Sequence, residues 1–219
     1  MELLKKIFSY VVDIPIEQRA SSFSGQVEVT LRQGQYMLST RNAIYSFGKK
    51  YTSFDTAFKK INIAAHPISS VLVLGLGLGS VIDLLEKHVD IQHIVAIDTD
   101  DVIIELAQKY LQSNLKNKVH FICADAAEFV NKNQEKFDAV LFDVFIDDKT
   151  PVHFMQPDFL EQLKKSVRKN GVLIYSKIED SIHSKIENRQ FESKFLTVFP
   201  ESFSVDANGN KMYVWYGKD

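Results

Sequence analysis

The chain has 219 residues, a formal net charge of −2, and 45% hydrophobic and 25% charged residues; this suits a globular fold with a full core and excludes a disordered chain. Lysines and arginines are scattered in pairs such as Lys49-Lys50 and Lys164-Lys165, so nucleic acid is not an expected partner. Cys123 is the single cysteine and the six histidines stand at no close metal-ligand spacing, so an internal disulfide and a metal site are not expected and a cytoplasmic setting is.

In chain order, residues 7–12 form a short apolar patch that Asp13 interrupts, so no signal peptide is read. Residues 10–12, 26–31 and 36–40 read as extended, with Gln33-Gly34-Gln35 as a turn, and Val27, Val29 and Leu31 alternate with polar neighbours as in a strand with one covered face. This predicts a small β-appendage over residues 1–50, followed by an α/β domain over 51–219. The appendage's edge strands offer a route to a homodimer. Residues 51–63 have helical spacing. Residues 61–82 carry no formal charge, but Asn62, His66-Pro67 and three glycines argue for a helix end, a loop and a buried strand and against a membrane span.

The organising stretch is residues 71–98. Val71-Leu72-Val73-Leu74 reads as a strand buried on both faces, Gly75-Leu76-Gly77-Leu78-Gly79-Ser80 as a turn into a helix, and residues 93–97 as a second strand with Asp98 at its carboxyl end. Glycines let a backbone approach a ligand closely, and a carboxylate at that strand end suits the vicinal hydroxyls of a ribose. The third glycine comes one place early for a dinucleotide fingerprint, which favours a nucleoside cofactor without a pyrophosphate.

Further along, residues 102–111 read as helix, 119–123 as strand, 126–131 as helix, 137–142 as strand ending at Asp143, 158–167 as helix and 171–175 as strand. Residues 203–205 and 212–216 flank Asn208-Gly209, a strong hairpin signal. Alternating strands and helices predict a mostly parallel sheet covered on both faces, closed by an antiparallel hairpin.

These residues resemble a family: the glycine loop, Asp98 with the helix after it, Cys123-Ala124-Asp125-Ala126, and Phe137-Asp138-Ala139-Val140-Leu141-Phe142-Asp143 are similar to the spermidine synthase-like group of the class I S-adenosylmethionine-dependent methyltransferases. The resemblance implies a Rossmann-like, mostly parallel seven-stranded sheet. It also implies that S-adenosylmethionine, or its decarboxylated form, is held by the loop Gly75, Gly77, Leu78 and Gly79, by Asp98 at the ribose, and by Asp125 with Ala126 at the adenine. Asp143 would stand beside the reacting centre. Asp98 and Asp125 have an alternative role as caps of the helices that follow them.

Two departures from the group shape the functional expectation. Leu78 stands where an aminopropyltransferase carries a carboxylate for the donor's amine, and Ile146 where it carries the second acid of a pair. Asp147 and Asp148 follow, either as a shifted replacement, with Asp147 as a catalytic candidate, or as a solvated turn before Pro151. The expectation is therefore methyl transfer from S-adenosylmethionine to a small acceptor, with intact donor binding better than decarboxylated donor. Aminopropyl transfer in polyamine synthesis, and a non-catalytic adenosyl-thioether-binding protein, are the alternatives. Cys123 is read as a packed thiol, His153 as a candidate base, and Tyr45, Tyr51 and Phe54 as core aromatics or a cation cage.

Overall fold

The computed structural model describes residues 2–41, 43–146 and 148–218. Strands β1 (Ile14–Ser21), β2 (Gly25–Arg32), β3 (Gln35–Ser39) and β4 (Ile44–Ser46) pair in sequence order as an antiparallel meander. Helix α1 (Glu2–Phe8) precedes them. The β2–β3 turn falls at Gln33-Gly34, both with positive φ, as a two-residue hairpin demands. Residues 10–12 form the turn out of α1 and are not extended.

Helix α2 (Thr52–Lys60) leads into the main sheet, where β5 (Ser70–Leu74), α3 (Ser80–Leu85), β6 (His93–Asp98), α4 (Asp101–Tyr110), β7 (Val119–Cys123), α5 (Ala126–Lys132), β8 (Phe137–Phe142), α6 (Pro157–Lys165) and β9 (Val167–Ile178) alternate. Helix α7 (Ile182–Val198) and the hairpin β10 (Phe203–Ala207) and β11 (Asn210–Tyr216) complete it. The seven strands lie in the order β10-β11-β9-β8-β5-β6-β7. From β9 to β7 all neighbours are parallel, while β11 runs antiparallel to β9 and to β10. The hairpin turns at Asn208 (φ 51°) and Gly209 (φ 87°), as the Asn-Gly signal predicts.

Alternate residues of β5 face two cores. Val71 and Val73 join Phe58, Ile82 and Leu84 on one side, and Leu72 and Leu74 join Phe142, Leu160 and Phe195 on the other. A third cluster seals the meander onto α4 through Val27, Val29, Leu38, Leu78, Val102 and Leu106. Polar ties reinforce this joint: the Tyr110 hydroxyl donates to Glu17 at 2.6 Å and Arg19 pairs with Glu105 at 2.8 Å.

The order in which successive strands are laid down reverses between β5 and β8, because β6 and β7 lie on one side of β5 and β8 and β9 on the other. The carboxyl ends of the two strands therefore leave a crevice between diverging loops, the place where open α/β sheets bind ligands. The Asp143 N–H donates to the Leu74 carbonyl at 2.8 Å, so both strand ends reach the crevice together.

Candidate functional site

The floor of the crevice is the glycine loop. Gly75 has φ 85°, and a Cβ there would sit 2.3 Å from the Asp143 carbonyl oxygen. Gly77 has φ 53°, and a Cβ there would sit 2.9 Å from the Tyr45 carbonyl oxygen. Side chains are thus excluded twice over, by backbone angle and by space, and the loop is pressed between β8 and the meander. Above it opens a cavity of about 430 Å³, large enough for a small-molecule ligand.

Each carboxylate at the parallel strand ends has a distinct partner set. The Leu76 N–H donates to Asp98 Oδ2 at 3.0 Å, and the Asp100 N–H to Asp98 Oδ1 at 3.1 Å. Asp98 thus braces the glycine loop at the cavity wall, and burial raises its pKa against the pull of those two N–H donors. Asp125 caps α5, accepting from the Ala127 and Glu128 N–H groups at 2.8 and 3.0 Å through the same oxygen, Oδ1. Asp125 and Ala126 both line the cavity, so capping and ligand contact are compatible roles for one carboxylate.

Asp143 differs. The Tyr51 hydroxyl donates to its Oδ2 at 2.7 Å, while Oδ1 is sealed from solvent with no donor in hydrogen-bonding geometry among the described residues. Burial pushes its carboxyl up to about 6, against the opposing pull of the Tyr51 and nearby Ser176 hydroxyls. Tyr51 itself is held protonated far above its ordinary range, by burial first and by the Asp143 charge second. The phenol therefore stays a donor wherever Asp143 titrates.

Sequence reasoning missed several lining residues. Asp100 caps α4 and accepts from the Ser21 and Ser24 hydroxyls of the β1–β2 turn, which brings Phe23 and Ser24 to the cavity. An acid-x-acid spacing at Asp98-Thr99-Asp100 was the available signal. Asp180 and Asn210 reach the cavity from beyond β9 and from β11, and no local pattern announced them. Among the described lining residues there are six aspartates, Asp98, Asp100, Asp125, Asp143, Asp148 and Asp180, and no lysine or arginine.

Other expected residues lie elsewhere. Leu78 does not line the cavity: its side chain is 4% exposed and packs into the cluster between the meander and α4. Gly79 is likewise absent from the cavity wall, standing as the N-cap of α3 against Leu111. Asp147 lies outside the described residues. Cys123, read as a packed thiol, is exposed at the end of the edge strand β7. His153, Tyr45 and Tyr51 line the cavity, whereas Phe54 is core. No group of three or more described His, Cys, Asp or Glu residues is placed to hold a metal, and no described helix is long and apolar enough to cross a membrane.

Comparison with known proteins bears on the reaction. The spermine/spermidine synthase domain family matches residues 57–206. A polyamine aminopropyltransferase of Saccharolobus islandicus (strain Y.N.15.51 / Yellowstone #2) is 30% identical over 115 residues, 49% of this chain and 38% of that protein. The chain thus spans well under half the length of this curated relative. The crystal structure of spermidine synthase from Thermotoga maritima superposes with TM-score 0.71 at 17% identity, over 94% of this chain and 73% of that one. A spermidine synthase in complex with the transition-state analogue AdoDATO gives TM-score 0.73 at 18% identity, over 94% and 74%. The family match and the aminopropyltransferase relative overturn the expectation of methyl transfer as the leading reading. That expectation leaned on Leu78 and Ile146, and the Leu78 side chain packs in the cluster between the meander and α4.

Proposed function

This chain belongs to the spermine/spermidine synthase family, and on that premise we propose that it transfers an aminopropyl group from decarboxylated S-adenosylmethionine to the nitrogen of a small amine of the polyamine class. The observation that carries the reading is the cavity's charge, six aspartates against no lysine or arginine among its described lining residues. Such a wall favours cations, as the donor's sulfonium and amine and the acceptor's ammonium groups all are, and disfavours the free carboxylate of the intact donor.

The residues fit the donor. Gly75 and Gly77 admit it close to the backbone, Asp98 presents a carboxylate toward the ribose, and Asp125 with Ala126 faces the adenine. When bound, the sulfonium supplies the leaving group, its carbon–sulfur bond breaking toward a neutral thioether as the acceptor nitrogen attacks. The protein's own part is orientation and one proton. Asp143 is the group for that proton: ionised at neutral pH, raised in basicity by burial, and fixed in place by Tyr51. Since Ile146 stands where a second acid would help hold the acceptor, Asp148 and Asp180 at the same cavity take up its distal positive charge.

The test is turnover. Incubation with decarboxylated S-adenosylmethionine and a terminal diamine, followed by chromatography of the thioether nucleoside, is expected to show product that depends on Asp143. Consumption of intact S-adenosylmethionine with the decarboxylated donor left untouched would overturn the proposal.

A further inference from the structure

Asp143 ends a row of polar side chains that crosses three neighbouring strands. Phe142 of β8 pairs with Tyr175 of β9, so Asp143 and Ser176, one residue further along, come side by side at the crevice. Side chains alternate between the faces of a sheet, and the residues two and four places before them, Leu141 and Ala139 on β8 and Ile174 and Val172 on β9, share one core. Met212 and Val214 of β11 belong to the same core, which puts Asn210 on that face too. Its Nδ2 donates to Ser176 Oγ at 3.0 Å. Ser176 is fully buried, whereas Asn210 is half-buried and lines the cavity together with Asp143.

This row fixes which end of the Asn210 carboxamide faces a ligand. A serine hydroxyl has one proton to give. The Asp143 carboxylate beside it draws that proton, so Ser176 Oγ is left to accept, and only the NH2 end of Asn210 can donate to it. The carbonyl oxygen, Oδ1, is thereby turned away from Ser176, and no described residue donates to it. Two acceptors for a nitrogen, the Asp143 carboxylate and Asn210 Oδ1, thus flank one buried hydroxyl at the cavity wall.

We propose that Asn210 Oδ1 holds the attacking nitrogen of the acceptor and selects primary over secondary amines, an inference that rests on the aminopropyl transfer proposed above. A neutral primary amine carries two N–H bonds and one lone pair. Asp143 accepts from one N–H and Asn210 from the other, which leaves the lone pair directed at the donor carbon. As that pair forms the new carbon–nitrogen bond, the carbon–sulfur pair leaves on sulfur and the sulfonium becomes a neutral thioether. The nitrogen, now positive, gives one proton to Asp143 and keeps the other on Asn210, so the product is a secondary amine. A secondary acceptor starts with a single N–H, which Asp143 must take. Asn210 then faces an alkyl group with its carbonyl desolvated and unpaired, and that is unfavourable.

Steady-state kinetics with decarboxylated S-adenosylmethionine is the test, the acceptors being a terminal diamine and the same diamine methylated once on each nitrogen. The unsubstituted chain is expected to favour the primary diamine in kcat/KM by about tenfold or more. Asn210→Leu keeps the size of the side chain without its acceptor, and is expected to cut that ratio about tenfold while donor affinity by calorimetry is retained. Ser176→Ala frees the carboxamide to turn and is expected to cut the ratio about threefold. It decides the matter should Asn210→Leu fail to fold, an unchanged ratio overturning the proposal. No preference in the unsubstituted chain, or an Asn210→Leu variant that slows both acceptors equally, overturns the role of Asn210 and leaves the reaction standing. Turnover of neither acceptor by the unsubstituted chain overturns the reaction and this role with it.

Discussion

Asp83 and Asp143 are two buried carboxyls on either side of the glycine loop, and burial pushes both up to about 6. Both also leave Oδ1 without a hydrogen-bond partner among the described residues. Asp83 sits in α3 beside a void of about 10 Å³, whereas Asp143 forms the wall of a cavity of about 430 Å³ and is gripped by Tyr51. The two thus differ in space for a ligand and in an orienting donor, the features that a reactive carboxyl needs beside a raised pKa. Asp98 and Asp125 lie between the two cases, at the cavity but tied to backbone N–H groups.

The comparison breaks if exchanging the two carboxyls for amides gives the same result. Asp143→Asn is expected to lower turnover of the decarboxylated donor by about a thousandfold, the range of a lost general base, with the fold retained; steady-state kinetics with a diamine acceptor checks it. Next in size is Tyr51→Phe. Removing the donor that favours the charged form of Asp143 should move the acid limb of the pH–rate profile upward from about 6. A charge-assisted hydrogen bond is worth roughly 1.5–3 kcal/mol, or about one to two pKa units, so turnover at neutral pH should fall about twofold to fifteenfold. A profile that does not move would separate Tyr51 from the titrating group.

A smaller effect is expected at Asp98. Asp98→Asn weakens the brace under the glycine loop, and donor affinity measured by calorimetry should drop about tenfold with the turnover number little changed. The smallest effect on turnover is expected from Asp83→Asn, which should leave it within a factor of about two. Its signature is stability. A carboxyl whose folded pKa is raised to about 6 binds its proton more tightly when folded. Its favourable contribution is therefore full below the ordinary carboxylate range and is lost as pH rises through about 6. The variant should accordingly gain on the parent across that interval, by about 3 kcal/mol at pH 8 and little at pH 4 in urea unfolding. Equal differences at both pH values would remove Asp83 from the comparison.

What the amino-acid sequence determined by itself was everything written in short-range periodicity. The buried run of β5, the glycine turn, the carboxylates ending β6 and β8, and the Asn208-Gly209 hairpin are local patterns, and each appears where the pattern puts it. Strand β1 went unread because its residues alternate poorly; its pairing with β2 even shifts register between Pro15 and Glu17. Helix α7 went unread because its first half is polar and its hold on the sheet comes from Phe191 and Phe195 stacking on Tyr175 and Tyr213 of distant strands.

Only tertiary structure decided that Leu78 points away from the cavity, into the cluster between the meander and α4. The same holds for the grip of Tyr51 on Asp143, 92 residues apart, and for the arrival of Asp180 and Asn210 at the cavity. The physical reason is common to them all. Local sequence sets backbone angles and the period of buried faces, whereas a site's charge and its hydrogen bonds arise from groups that meet only once the sheet has closed and its crevice has formed.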